Sequence, residues 1–136
     1  MRRNADDPRI AVNVLGGPDA DADRACLAHL RERLPAEVGL RLLARAAGGV
    51  PELPEVEVLR LPGLRSAAAH NRGLRHAFGR GDDAVVILSS EARPLAGFLP
   101  PLLELAKLRP RAALVSPKIH LASDPGRLWY AGGEID

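Results

Sequence analysis

Residues Asp82 to Ile119 read DDAVVILSSEARPLAGFLPPLLELAKLRPRAALVSPKI, and this stretch decides the fold. Ala84 to Leu88 is a continuous apolar run rather than an alternating one, the pattern of a parallel strand covered on both faces. Ser89, Ser90 and Glu91 make a polar turn at its carboxyl end. A helix follows with Pro100 and Pro101 in its first turn, where proline is tolerated. Arg111 to Ser116 then reads as a further buried strand. Strand, turn, helix and strand make one repeat of an α/β sheet, whose ligands gather at the strand carboxyl ends. A site is therefore expected around Ser89 to Glu91.

Working outward, residues 1–8 read as a loose leader and Arg9 to Leu15 (RIAVNVL) as the first strand, closed by Gly16, Gly17 and Pro18. Asp19 or Asp21 caps a helix that carries Leu27, Leu30 and Leu34 on one face and ends before Pro35. Val38 to Leu43 is the second strand, Ala44 to Pro54 a Gly/Pro-punctuated loop, and Val56 to Leu61 the third strand. A helix is expected from about Ser66 to Phe78, with Ala67, Asn71, Leu74 and Phe78 on one stripe and Asn71 in a buried hydrogen-bonding role. Gly79 and Gly81 stop it. Beyond Ser116, Lys118 to Leu121 and Arg127 to Ala131 flank the turn-forming SDPG, a hairpin or flap closed by Gly132 and Gly133. The expected fold is α/β, with a mostly parallel open sheet, helices on both faces, right-handed crossovers and a C-terminal hairpin. Residues 1–136 read as a single domain.

Composition narrows the function. Hydrophobic residues make up 46% of the 136, which argues for a folded chain. No apolar run approaches the length of a membrane span, and the opening MRRNADDPRI has no secretory apolar segment. A cytoplasmic location is expected. Cys26 stands alone, so it forms no intramolecular disulfide, and it reads as buried filler. Nineteen basic residues against 17 acidic ones are spread along the chain with few aromatics, which argues against a nucleic-acid partner.

Three segments carry a resemblance: AAAHNRGLRHAFGRGDDAVVIL (Ala67 to Leu88), ARPLAGFLPPLLELA (Ala92 to Ala106), and SPKI with DPGRLWYAGGEID (Ser116 to Ile119, Asp124 to Asp136). In their order and spacing the chain resembles the nucleotide-sugar-binding half of inverting family 2 glycosyltransferases, in the rhamnosyltransferase-like branch. The resemblance implies a Rossmann-like GT-A fold that holds a nucleoside-diphosphate sugar at the strand carboxyl ends. It also implies Mg²⁺ or Mn²⁺ on the diphosphate, because a leaving diphosphate gathers negative charge.

Several family positions are altered. Leu15, Gly16 and Gly17 replace a Thr-Tyr-Asn-like triplet, and Ala44, Arg45, Ala46 and Ala47 replace an Asp-Asn stretch that reaches the nucleoside. Gly63, Leu64 and Arg65 stand at the first Asn-x-Gly, whereas Asn71 and Gly73 keep the second. Ser89, Ser90 and Glu91 stand at the metal-binding Asp-x-Asp-like motif. The acceptor half that carries the catalytic base in the family has no counterpart in the chain.

The resemblance therefore makes Arg45, Arg65, Asn71, Ser89 and Ser90 candidate nucleotide-sugar contacts and Glu91 the candidate metal ligand. No catalytic residue is assigned. One carboxylate with hydroxyls is a weak cation site, so Glu91 reads better as a solvated loop residue beside Arg93, and no bound metal is expected. Arg65, Arg72, Arg75 and Arg80 offer cationic groups for a diphosphate, although Arg72, Arg75, His76 and Arg80 also fit a solvated helix face. Asp6, Asp7, Asp19, Asp21 and Asp23 lack calcium-loop spacing and read as caps. Trp129 and Tyr130 fit packing of the flap better than stacking on a sugar.

Two functions stand side by side. One is a family 2-like transferase domain, impaired or inactive alone. The other is a non-catalytic pseudoenzyme acting as a binding or scaffolding module, and the altered positions favour it. A homodimer or a partner protein that completes the domain is expected to cover apolar surface left open.

Overall fold

The computed structural model describes residues 7–49 and 52–132. The expected leader, Asp6 and Gly133 lie wholly or largely outside them. The chain divides into two compact units, Met1–Pro94 and Leu95–Asp136.

The first unit is a four-stranded parallel sheet, Rossmann-like in its order. Its elements are β1 (Ile10–Leu15), α1 (Ala20–Arg33), β2 (Gly39–Ala44), β3 (Val56–Arg60), α2 (Ser66–Gly79) and β4 (Ala84–Ser89). The strands lie in the order β3-β2-β1-β4, with Val12 beside Leu40 and Val86, and Leu42 beside Val58. The path from β1 to β2 and the path from β3 to β4 cross the sheet in opposite directions. Right-handed crossovers then put α1 and α2 on opposite faces. Val12, Val14, Leu40 and Leu42 are buried toward one face, while Asn13, Arg41 and Leu43 point toward the other.

Local chemistry sets the helix ends. Asp19 caps α1 by accepting from the backbone N–H groups of Asp21 at 2.9 Å and Ala22 at 3.3 Å. Cys26, Leu27 and Leu30 form its inward face. Helix α2 is turned differently from the expected stripe. Its buried residues are Ala69, Gly73 and Ala77, whereas Asn71 and Phe78 are exposed. The physical reason is close packing. A Cβ on Gly73 would come within 2.8 Å of Leu43 Cδ1 and 2.9 Å of Asn13 Nδ2, so only the small-residue side lets the helix lie this near the sheet.

Two strand expectations are corrected. Strand β4 ends the sheet order and is only half-buried, with Ile87 46% exposed, although its run is uniformly apolar. An apolar run alone does not separate an edge strand from a central one. The fully buried strand is β1. Residues 111–116 form no strand, and Leu114 is 88% exposed. Pro110 and Pro117 bracket this short run, and each removes a backbone donor a ladder would need.

The second unit holds α3 (Leu99–Leu108) and an antiparallel hairpin of β5 (Ile119–His120) and β6 (Leu128–Tyr130). Pro100 and Pro101 lie in the first turn of α3, and the hairpin closes over the Ser123–Gly126 turn, both as read from the sequence. No helix among the described residues is long and apolar enough to cross a membrane.

Candidate functional site

The strand order reverses between β1 and β4, so the crevice that suits a ligand lies beyond Leu15 and Ser89. Backbone bonds carry the sheet one step further there. Gly16 N–H donates to the Leu43 carbonyl at 2.9 Å, and Ser90 N–H donates to the Leu15 carbonyl at 3.1 Å.

The N–H group that an open glycine turn would offer to an anion is already in use. Gly17 N–H donates to Asp23 Oδ1 at 3.0 Å, and Asp23, in the first turn of α1, is only 3% exposed. A Cβ on Gly16 would stand 2.8 Å from Asp23 Oδ2 and 2.9 Å from the Leu43 carbonyl oxygen, so glycine is needed for the carboxylate to come this close. A buried carboxylate at this place repels a second anion.

Arg45, just past β2, is also tied down. Its Nε donates to the Gly16 carbonyl at 3.0 Å and its Nη1 to Ser66 Oγ at 3.2 Å. It therefore links the end of β1 to the start of α2. Arg65 stands at the N-cap position of α2 with an exposed side chain. The first turn of α2 has neither an acidic residue nor a side-chain cap. Its free N–H groups and positive dipole end give this part of the rim a cationic character.

Ser89, Ser90 and Glu91 follow β4. Ser90 is buried, and its carbonyl accepts from Arg93 Nη1 at 2.7 Å. Ser89 Oγ accepts the Glu91 N–H at 3.1 Å, which uses the hydroxyl to shape the turn. Glu91 is exposed, and no group of three or more His, Cys, Asp or Glu among the described residues is placed to hold a metal. One exposed carboxylate beside an engaged hydroxyl does not fit a hard divalent cation, which takes six or more oxygens. Asn71 points to solvent, away from the buried role expected of it.

The sequence reading passed over His70. It is half-buried on α2, and its Nδ1 has no hydrogen-bond partner among the described residues. Burial, and then the charge of Arg45, hold its imidazole below the ordinary value. The only sequence signal was its place beside the Ala69-Gly73-Ala77 stripe.

A second polar cluster lies at the opposite edge of the sheet, and of its members only His76 and Arg80 stood out in the sequence, as a solvated helix face or, for Arg80, a diphosphate contact. Arg41 is 5% exposed, and it donates through Nη1 to Asn13 Oδ1 at 2.7 Å and through Nε to Glu57 Oε2 at 3.0 Å. Its Nη2 stands 3.6 Å from Asp82 Oδ2, and Arg9 Nε stands 2.9 Å from Asp82 Oδ1. His76 and Arg80 both reach Glu57 Oε1, at 2.6 Å and 2.9 Å. Burial pushes the Glu57 carboxyl up, but hydrogen bonds and charge from Arg41 and His76 outweigh it and leave the group below its ordinary value. A cavity of about 260 Å³ opens there, lined by Arg9, Arg41, Glu57, Arg80 and Asp82 among others. Arg80 is thus committed to Glu57, far from the rim where a diphosphate was expected.

Cys26 is fully buried, and burial pushes its thiol up, in keeping with its reading as filler. No protein-family model, no curated protein and no solved structure matches the chain.

Proposed function

We propose that the chain is a GT-A-type module of the glycosyltransferase family 2 kind, the half that meets a nucleotide sugar, in a form that does not transfer the sugar unaided. The support is the parallel β3-β2-β1-β4 sheet, whose carboxyl edge gathers Arg45, Arg65, Ser89, Ser90 and Glu91, together with the resemblance of its segments. The observation that carries the impaired reading is Asp23 on the Gly17 N–H, with Arg45 spent on Gly16 and Ser66. Groups that would receive a diphosphate are satisfied by the protein itself.

In this reading Arg65 and the open first turn of α2 supply the remaining attraction for phosphate, and no cation takes part. Transfer also needs an acceptor hydroxyl with a base within hydrogen-bond reach, which another chain or segment must supply. The module is cytoplasmic in this account. Incubation with radiolabelled UDP- and dTDP-sugars and a panel of hydroxyl acceptors tests it: neither transfer nor donor hydrolysis is expected above the protein-free rate. Turnover by the purified chain would overturn the reading.

A second reading is a pseudoenzyme that serves as a binding or scaffolding module, alone or as a homodimer. The same self-satisfied rim favours it, because a fold can persist after its chemistry is lost.

A further inference from the structure

Every residue lining the cavity at the amino edge of the sheet belongs to the first unit. Arg9 precedes β1, Glu37 precedes β2, Glu55 precedes β3, and Arg80 and Asp82 stand between α2 and β4. The parallel strands bring these flanking residues to one edge although they are far apart in sequence.

Two groups of opposite sign there have bonding capacity to spare. Asp82 is 7% exposed, and its Oδ1 lies 2.9 Å from Arg9 Nε, yet its Oδ2 has no hydrogen-bond partner among the described residues. Arg41 Nη2 stands 3.6 Å from that oxygen, too far for a hydrogen bond. A buried oxygen left in this state marks a missing partner. Arg80 spends Nη1 on Glu57, its side chain makes no other hydrogen bond with a described residue, and half of it is exposed. Arg9 joins the two, because its Nη1 donates to the Arg80 carbonyl at 3.1 Å while its Nε holds Asp82.

Size and sign choose the ligand. One water would satisfy Asp82, but it takes up only about 30 Å³ of a cavity of about 260 Å³. The lining sets Arg9, Arg41 and Arg80 against Glu37, Glu55, Glu57 and Asp82. A ligand of one sign would meet like charge, which is costly, whereas a small zwitterion finds a counter-charge for each end. Both open groups lie against one side chain, Arg9, which suits a ligand whose own charges are close together.

We propose that this cavity binds a free α-amino acid, with its ammonium on Asp82 Oδ2 and its carboxylate on Arg80. Both contacts are charge-assisted hydrogen bonds, the strong kind. The site lies at the opposite edge from the carboxyl rim and does not depend on the function given to that rim.

Saturation-transfer NMR of the full chain with the proteinogenic amino acids, each at about 10 mM, detects dissociation constants up to the millimolar range. At least one is expected to bind. Calorimetry then compares it with the amine that lacks its carboxylate and the acid that lacks its ammonium. Each analogue should bind about tenfold more weakly or worse, the loss of one charge-assisted bond. Arg80→Ala should weaken the amino acid to a similar degree with little change in the unfolding midpoint, because Arg80 is half-exposed. Should that variant disturb the edge, the two analogues on the unaltered chain decide alone. Binding of no amino acid, equal binding of either analogue, or full affinity in a folded Arg80→Ala chain overturns the proposal.

Discussion

Asp23 Oδ1 lies 3.0 Å from the backbone nitrogen of Gly17, joining the first turn of α1 to the loop that leaves β1. Asp23 is buried and Gly17 partly so, which shields the bond from water on the carboxylate side. Asp23→Ala should lower stability by about 1 kcal/mol, the net worth of a hydrogen bond whose donor water can still reach in part. Asp23→Asn keeps an acceptor oxygen and should cost less. Gly16→Ala should cost about 1–3 kcal/mol by overpacking, since its Cβ would press on the Leu43 carbonyl, a backbone atom that cannot swing aside. Urea unfolding of the three variants measures the order.

Arg41 and Arg80 both reach Glu57, yet their removal should differ sharply. Arg41 is buried and also serves Asn13 and Asp82, so Arg41→Met leaves carboxylates without their buried counter-charge. A loss of about 3 kcal/mol or more is expected. Arg80 is half-exposed, and Arg80→Ala should cost less than about 1 kcal/mol. Equal losses in chemical denaturation would contradict this account of the network.

Acid should weaken the fold in two steps. The folded imidazole of His70 lies below its ordinary value, so the unfolded chain takes up the proton first as pH falls. Stability from this source is complete above the unfolded value near 6.5 and declines as pH drops through it toward the lower folded value. Glu57 is likewise depressed, and its contribution is present above the ordinary carboxylate value and lost as pH falls through the folded one. His70→Gln should flatten unfolding free energy between pH 7 and pH 5, about the range where histidine titrates, and leave the steeper loss below it. An unchanged slope would remove His70 from the explanation.

The rotation of α2 is testable with one pair of variants. Gly73→Val adds bulk between α2 and the buried Leu43 and Asn13, and should cost about 1–3 kcal/mol despite valine's better helix propensity. Asn71→Ala changes an exposed side chain and should stay within about 0.5 kcal/mol. The reverse ranking in thermal unfolding would restore the face first read from the sequence.

The elements were largely legible because their signals are local. Gly16 to Pro18 closing β1, Asp19 capping α1 and the SDPG hairpin each rest on the chemistry of a few adjacent residues. Strand order was not local, so β4 could not be recognised as an edge, and two prolines outweighed the apolar run at 111–116. Helix α2 was misread because a period-3.6 pattern allows more than one stripe, and tight packing selected the smallest side chains. Asn13, Arg41, Glu57 and Asp82 meet only through the fold, as do Asp23 and Gly17. Single polar residues inside LRLLA or IAVNVL do not announce their partners.

The central claim is that the Gly17 N–H and Arg45 at the sheet's carboxyl edge are already engaged by the protein, and that no group of His, Cys, Asp or Glu among the described residues is placed there to hold a cation. Calorimetric titration of the purified chain with UDP- and dTDP-sugars, with Mn²⁺ and with EDTA, tests it most directly. The account predicts dissociation constants no tighter than about 1 mM, near −4 kcal/mol, and the same with or without the cation. Micromolar binding that appears with Mn²⁺ and disappears with EDTA would contradict it.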